Sequence, residues 1–164
     1  AMPAPEEAFD EGTSRMRITT LDVSFTAPFK LASQPLRYAG AWRVQRNGTP
    51  LTPQDRFAIG GRYSVRGFDG ESSLSAERGW TLRNDLGWAL GETGHEAYLG
   101  VDFGTVSGPS ARFLVGRSLA GAVLGVRGQL DRLSCDVFIG GPISQPNAFR
   151  SASVTAGFSL AASF

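Results

Sequence analysis

The sequence predicts an all-β chain in which about eight antiparallel strands follow one another as a meander, and three observations carry that reading. Apolar and polar residues alternate with a period of two in about eight stretches separated by turn-rich breaks. The 3.6-residue period of an amphipathic helix is nearly absent. No apolar run exceeds three residues, so no helix of this chain can span a bilayer. Strands that cross lipid need apolar residues only at every second position over about 9 to 11 residues. Alternation alone therefore leaves two architectures open. One is a membrane barrel with a wet lumen; the other is a soluble sandwich or lipocalin-like barrel whose apolar face fills a core.

The first stretch, residues 15 to 29, sets Leu21, Val23, Phe25, Ala27 and Phe29 against Thr20, Asp22, Ser24 and Thr26. In the second, 36 to 45, Leu36, Tyr38, Trp42 and Val44 share one face while Arg37 and Arg43 share the other. After the break Asn47-Gly48-Thr49-Pro50, a shorter third strand at 56 to 61 holds Phe57 and Ile59 on one side. Glycines at 60, 61, 67 and 70 then free the backbone at four points, which suits neither a helix nor a plain strand. The fourth strand opposes Trp80, Leu82, Leu86 and Trp88 to Glu77, Thr81, Arg83 and Asp85. The fifth opposes Ala97, Leu99, Val101 and Phe103 to Glu96, Tyr98, Gly100 and Asp102. In the sixth, Ala120, Ala122, Leu124 and Val126 face away from Arg127 and Gln129, although Leu119 and Val123 spoil the polar side. The seventh carries Leu133, Cys135, Val137 and Ile139, and the eighth alternates from Ala152 to Phe164. An arginine facing lipid at mid-membrane costs roughly 2–4 kcal/mol, so in a membrane barrel these charged faces point inward.

Composition narrows the function classes. The 164 residues suit one domain: a linker or expression scar at 1–13 and a β segment over 14–164. Fifteen arginines and one lysine against fifteen acids give a net charge of +1 without a basic block, which argues against nucleic acid as a partner. Cys135 stands alone and His95 lies in a turn, so no metal-ligand pattern or disulfide is expected. Ser72-Ser73-Leu74-Ser75 has no activating base at a recognisable spacing, and no phosphate-cradling glycine motif occurs. An enzyme is not expected, nor is a cofactor.

Two motifs carry the functional reading. Leu51-Thr52-Pro53-Gln54-Asp55-Arg56-Phe57-Ala58-Ile59-Gly60-Gly61-Arg62-Tyr63-Ser64-Val65-Arg66-Gly67-Phe68 resembles the signature of two-partner secretion outer-membrane transporters, the exporters of haemolysins and filamentous adhesins. That family belongs to a superfamily of barrels bearing POTRA domains, some of which insert outer-membrane proteins. The resemblance implies a sixteen-stranded barrel whose sixth long loop folds back into the lumen, with Val65, Arg66, Gly67 and Phe68 at the loop tip. Gly100-Val101-Asp102-Phe103-Gly104 fits the Gly-x-Asp-x-Gly pattern of a lumen-facing strand, and Arg66 with Asp102 is then the implied pair. Strand parity independently turns Asp102 inward with Gly100 and Gly104 beside it.

In the family the long loop joins strands eleven and twelve and the aspartate lies on thirteen. Numbering the eight stretches nine to sixteen meets both conditions, so the chain reads as the C-terminal half of a barrel. That numbering makes the short connection at 30–34 external and the longer one at 46–55 periplasmic. Glu77, Arg83 and Asp85 are candidate lumen charges, and Phe158, Leu160 and Phe164 resemble a C-terminal signal read by the barrel assembly machinery. The function implied is secretion of a large unfolded exoprotein across the outer membrane of a Gram-negative bacterium, with outer-membrane lipid and that machinery as further partners. The alternatives are an outer-membrane assembly factor of the same superfamily and a soluble β-barrel binding module.

Overall fold

Seven of the alternating stretches build one sheet. The structure, a computed structural model, describes residues 15–91, 93–130 and 132–163; the expected linker at 1–13 and Phe164 lie outside them. Its strands are β1 Ile18–Leu31, β2 Gln34–Asn47, β3 Phe57–Ile59, β4 Leu74–Ala76, β5 Arg78–Ala89, β6 His95–Ser107, β7 Ser118–Leu130, β8 Leu133–Ser144 and β9 Thr155–Ala162. The main sheet runs β1-β2-β5-β6-β7-β8-β9, every neighbour antiparallel, and β3 pairs only with β4.

The register carries the alternation from strand to strand. One row across the sheet reads Val23, Trp42, Leu82, Phe103, Ala120, and the row beside it on the other face reads Asp22, Arg43, Thr81, Gly104, Leu119. The first face exposes its aromatic and aliphatic side chains, as a lipid-facing wall does. The second carries the charges.

One expected wall strand is not in the wall. The stretch at 56–61 contributes only the three residues of β3, and with β4 it forms a small hairpin lying inside the connection 48–77. Gly60, at φ 113°, and Gly61 break it before it could span a membrane, and its Phe57 and Ile59 are buried where a wall strand would offer them to lipid. Phe57, Ile59, Leu74 and Ala76 of the hairpin pack with Val65, Phe68, Val106, Leu119 and Phe149 into one core on the inner face. This accounts for the apolar residues on the polar side of β7: Leu119 is covered by the inserted loop, and Val123 packs with Tyr98 and Phe138.

With seven wall strands the implied numbering becomes ten to sixteen. The long connection still joins eleven and twelve, and Asp102 still sits on thirteen. Sidedness also changes. The connections at 32–33, 90–94 and 131–132 are short and share one rim, whereas 48–77, 108–117 and 145–154 are long and share the other. Short periplasmic turns and long outer loops are the usual pattern of such barrels, and in the implied barrel that pattern would make 30–34 a periplasmic turn and 46–55 the start of an outer loop, the reverse of the eight-strand reading. Ala32 and Ser33 make that turn with φ 49° and 69°, the two-residue geometry that matches strand twist.

Candidate functional site

The loop reaches the inner wall through a tight turn and a glycine lane. Ser64 Oγ accepts the backbone N–H groups of Gly60 and Gly61 at 3.2 and 3.3 Å, and Ser64 N–H donates to the Gly61 carbonyl at 3.0 Å. Val65 then lies against β6 where Gly104 leaves room; a Cβ at Gly104 would stand 2.7 Å from Val65 Cγ2. Gly67 has φ 92°, a conformation that strains any side chain, and a Cβ there would run into the carbonyl oxygen of Gly141. A Cβ at Gly121 of β7 would overlap the carbonyl oxygen of Arg66. The chain can lie this close to the wall because Gly104 and Gly121 of the wall and Gly67 of the loop tip all lack side chains.

Arg66 is 4 % exposed and Asp102 is fully buried. The guanidinium meets the carboxylate side on: Nε donates to Asp102 Oδ2 at 2.7 Å and Nη2 to Oδ1 at 2.7 Å, while the Arg66 backbone N–H adds a third bond to Oδ2 at 3.0 Å. Nη2 also reaches Asp85 Oδ1 at 2.5 Å. The register sets this up, since Arg83, Asp102 and Gly121 form one inward row and Asp85, Gly100 and Val123 the next. Arg66 lies across both rows, over the space at Gly100, where a Cβ would be 2.6 Å from its Nη2. Burial alone would lower the pKa of the guanidinium, but the hydrogen bonds to Asp102 and Asp85 more than offset it and raise the pKa above the ordinary value. Arg66 is cationic at any accessible pH.

Of the other candidate lumen charges, Asp85 belongs to this cluster, Arg83 stands beside it with Nε 3.6 Å from Asp102 Oδ2, and Glu77 does not reach it. Glu77 instead braces the outer loops: it accepts from Ser110 Oγ at 2.6 Å and Ser110 N–H at 3.2 Å, with Arg56 Nε 3.5 Å away. Three groups that the sequence reading did not single out extend the cluster toward the periplasmic rim. Arg127 Nη1 donates to Asp85 Oδ2 at 3.0 Å and its Nε to Glu96 Oε1 at 2.8 Å; Arg37 grips Glu96 at 2.6 and 2.8 Å. The ring of Tyr98 lies under Arg127 at 4.5 Å, and its hydroxyl donates to Asp136 at 2.9 Å. All have inward parity, which was readable; which of several inward acids meets which arginine depends on register and was not.

The loop tip is also held from outside the wall. Phe68 packs edge-on against Phe149 of the 145–154 connection at 5.7 Å, and Asp69 Oδ2 accepts the Ala152 N–H at 2.6 Å. Phe158 and Leu160 of the expected terminal signal project from β9 on the lipid face, 76 % and 62 % exposed.

Comparison with known proteins adds the context. Residues 1–128 match the model of the haemolysin secretion/activation protein family ShlB/FhaC/HecB. The chain is 42 % identical over 156 residues to outer membrane transporter CdiB-2 of Burkholderia pseudomallei strain 1026b, covering 93 % of this chain and 27 % of that protein. It is 29 % identical over 163 residues to outer membrane transporter CdiB of Dickeya dadantii strain 3937, covering 97 % of this chain and 28 % of that one. Among solved structures, CdiB from Acinetobacter baumannii superposes with a TM-score of 0.82 at 37 % identity over 90 % of this chain and 27 % of its own. CdiB from Escherichia coli, 22 % identical, shares the fold with a TM-score of 0.77 over 94 % of this chain and 29 % of its own. The chain thus spans little more than a quarter of the relatives it matches. It belongs to the haemolysin secretion/activation family, as a segment of the barrel of a two-partner secretion outer-membrane transporter.

Proposed function

We propose that the barrel containing this segment carries a large exoprotein across the outer membrane in an unfolded state, and that the Arg66 loop is the element that shapes its pore. The observation carrying this reading is the loop itself: in a chain of a secretion family it lies along the inner wall, where translocating polypeptide must pass. Arg66 with Asp102 and Asp85 fixes the loop; it does no chemistry on the cargo. Away from the apolar core beneath the loop, the inward-facing groups are mainly Gly, Ser, Thr and paired charges, which hold extended polypeptide weakly and let it slide. The family membership favours secretion over the insertion of other barrels, and haemolysin or adhesin type is our expectation for the exoprotein. No catalytic step is part of this function, and the C-terminal residues from Phe158 to Phe164 serve recognition by the assembly machinery.

Charge reversal tests the role. In the full-length transporter, Arg66→Glu is expected to leave a heat-modifiable barrel in the outer membrane and to reduce exoprotein release by at least about tenfold, since removing one partner of a buried pair costs about 3–5 kcal/mol. Undiminished release by a folded Arg66→Glu barrel would sink the proposal.

A further inference from the structure

The lipid-facing side of the wall carries its charges at one rim only. Arg46 of β2 continues the outward row of Trp42 and Val44, and Arg78 of β5 continues that of Trp80 and Leu82. The register pairs Gln45 with Gly79, so Arg46 and Arg78 come next to each other at the outer rim, one step above Val44 and Trp80. Both are exposed, and Arg17 lies just beyond Ile18 with the same parity. Arg78 Nε donates to Asn47 Oδ1 at 2.7 Å, a neutral partner, and among the described residues neither Arg46 nor Arg78 makes an ion pair. The acids of neighbouring strand positions are spent elsewhere: Asp22 holds Arg43 on the inner face and Glu77 holds Ser110. Like charges side by side on a sheet repel, so this pair is at odds with its surroundings unless an anion lies between them. At the opposite rim the corresponding outward positions are Leu36, Trp88, Ala97 and Val126, none of them charged.

Beneath the arginines is a groove of about 880 Å³ lined by Thr19, Trp42, Arg46, Arg78, Trp80 and Ser107. It has a cationic, hydrogen-bonding lip and an apolar, aromatic floor. That order, read from water toward the membrane centre, is the order of a phosphate headgroup above its acyl chains.

We propose that Arg46 and Arg78 form a binding site for a phosphorylated lipid of the outer leaflet, the phosphate bridging the two guanidiniums and the acyl chains lying on Trp42 and Trp80. The site rests on the barrel reading and on the long connections being external. Two guanidiniums on one phosphate give charge-assisted, fork-like hydrogen bonds that favour a phosphate monoester, with its higher charge and more terminal oxygens, over the phosphodiester of a zwitterionic headgroup, whose charge is offset by its own ammonium.

The test uses the full-length transporter in mild detergent, native mass spectrometry and three probes: a bisphosphorylated lipid A, the same lipid dephosphorylated, and phosphatidylethanolamine. The wild type should retain the bisphosphorylated lipid in preference to the other two. The Arg46→Ala/Arg78→Ala variant should lose that preference by roughly tenfold or more. Arg46→Lys/Arg78→Lys, which keeps the charges and loses the forks, should fall between the two, and Arg112→Ala, at an arginine of the 108–117 connection whose guanidinium lies 4.7 Å over the Phe113 ring, should keep all of it. Equal retention by wild type and the double alanine variant overturns the site, as does equal retention of the dephosphorylated lipid. Displacement of the lipid by millimolar inorganic phosphate overturns the acyl-chain part and leaves only an anion site, which is not what is proposed. Heat-modifiable gel mobility is recorded for every variant: its absence in the wild type refutes the barrel reading, and its presence with no lipid preference refutes only this site. Should the alanine variant fail that check, Arg46→Gln with Arg78 intact supplies the same comparison at one headgroup bond fewer.

Discussion

Arg66 and Gly121 define how finely the site is fitted. The arginine satisfies two carboxylates on adjacent inward rows, and its own carbonyl rests where a Cβ of residue 121 would be. A methyl group at 121 cannot be absorbed by rotating a side chain, because the obstacle is backbone on the loop side. Gly121→Ala is therefore expected to lift the loop tip off the wall at a cost of about 1–3 kcal/mol, the range for overpacking. Limited proteolysis of the full-length protein checks this: cleavage within 60–73 should rise clearly over wild type while the wall stays resistant, and an unchanged cleavage rate means the loop is not seated as described. Part of this site was readable beforehand. Strand parity alone turned Asp102 inward, and the need for space explained Gly100 and Gly104. Arg127 and Glu96 shared that parity, yet nothing in the sequence distinguishes an arginine bonded to Asp85 from one facing water. Gly121 looked like any other strand glycine, because the atom it makes way for lies 55 positions earlier in the chain.

At the scale of elements, the inserted hairpin behaves as a plug tied at two ends. Its inner tie is Arg66; its outer tie is the 145–154 connection, through the Phe68–Phe149 contact and the Asp69 carboxylate on the Ala152 amide. That amide, chiefly, together with the N–H of Glu71 and the Ser151 hydroxyl, holds the Asp69 carboxyl below the usual carboxylate range, against a smaller opposing effect of burial. A depressed folded-state pKa means that the tie contributes fully above the unfolded value and is lost as pH falls through the folded one. Hydrogen exchange of residues 148–154, corrected for intrinsic rates, should then accelerate roughly two- to fivefold on going from neutral pH to below the usual carboxylate range near about 4, the scale of one exposed charge-assisted bond. Asp69→Asn should show no such pH dependence. Equal acid acceleration in that variant would assign the effect to some other carboxylate. The hairpin is also where sequence reading failed. Phe57 and Ile59 alternate like a wall strand, and period two cannot tell a strand that meets lipid from one that meets the inside of its own barrel; the glycines at 60 and 61 were the available sign that the strand was too short.

For the whole molecule, the number of wall strands matters more than their content. Seven antiparallel strands leave β1 and β9 running in the same direction, both from the long-loop rim toward the short-turn rim. Closing this segment on itself, or pairing β9 of one copy with β1 of another inserted the same way, would demand a parallel seam, whereas membrane barrels of this kind close antiparallel. An even strand count could close antiparallel; the seven strands among the described residues could close only through a parallel seam. The nine further strands implied by a sixteen-stranded barrel end this conflict, because an odd complement restores antiparallel pairing at both edges. Until then two rows of backbone N–H and C=O groups stand unpaired at the sheet edges, a costly state in lipid. The 164-residue chain refolded alone in detergent is therefore expected to run at the same gel position heated and unheated and to self-associate, while the full-length transporter shifts on heating. Adding the missing strands as a separate polypeptide should restore the shift, since it supplies an antiparallel partner to β1 and β9 at once. A heat-modifiable monomer of the isolated segment would mean that its edges close on each other after all, and that the direction argument fails.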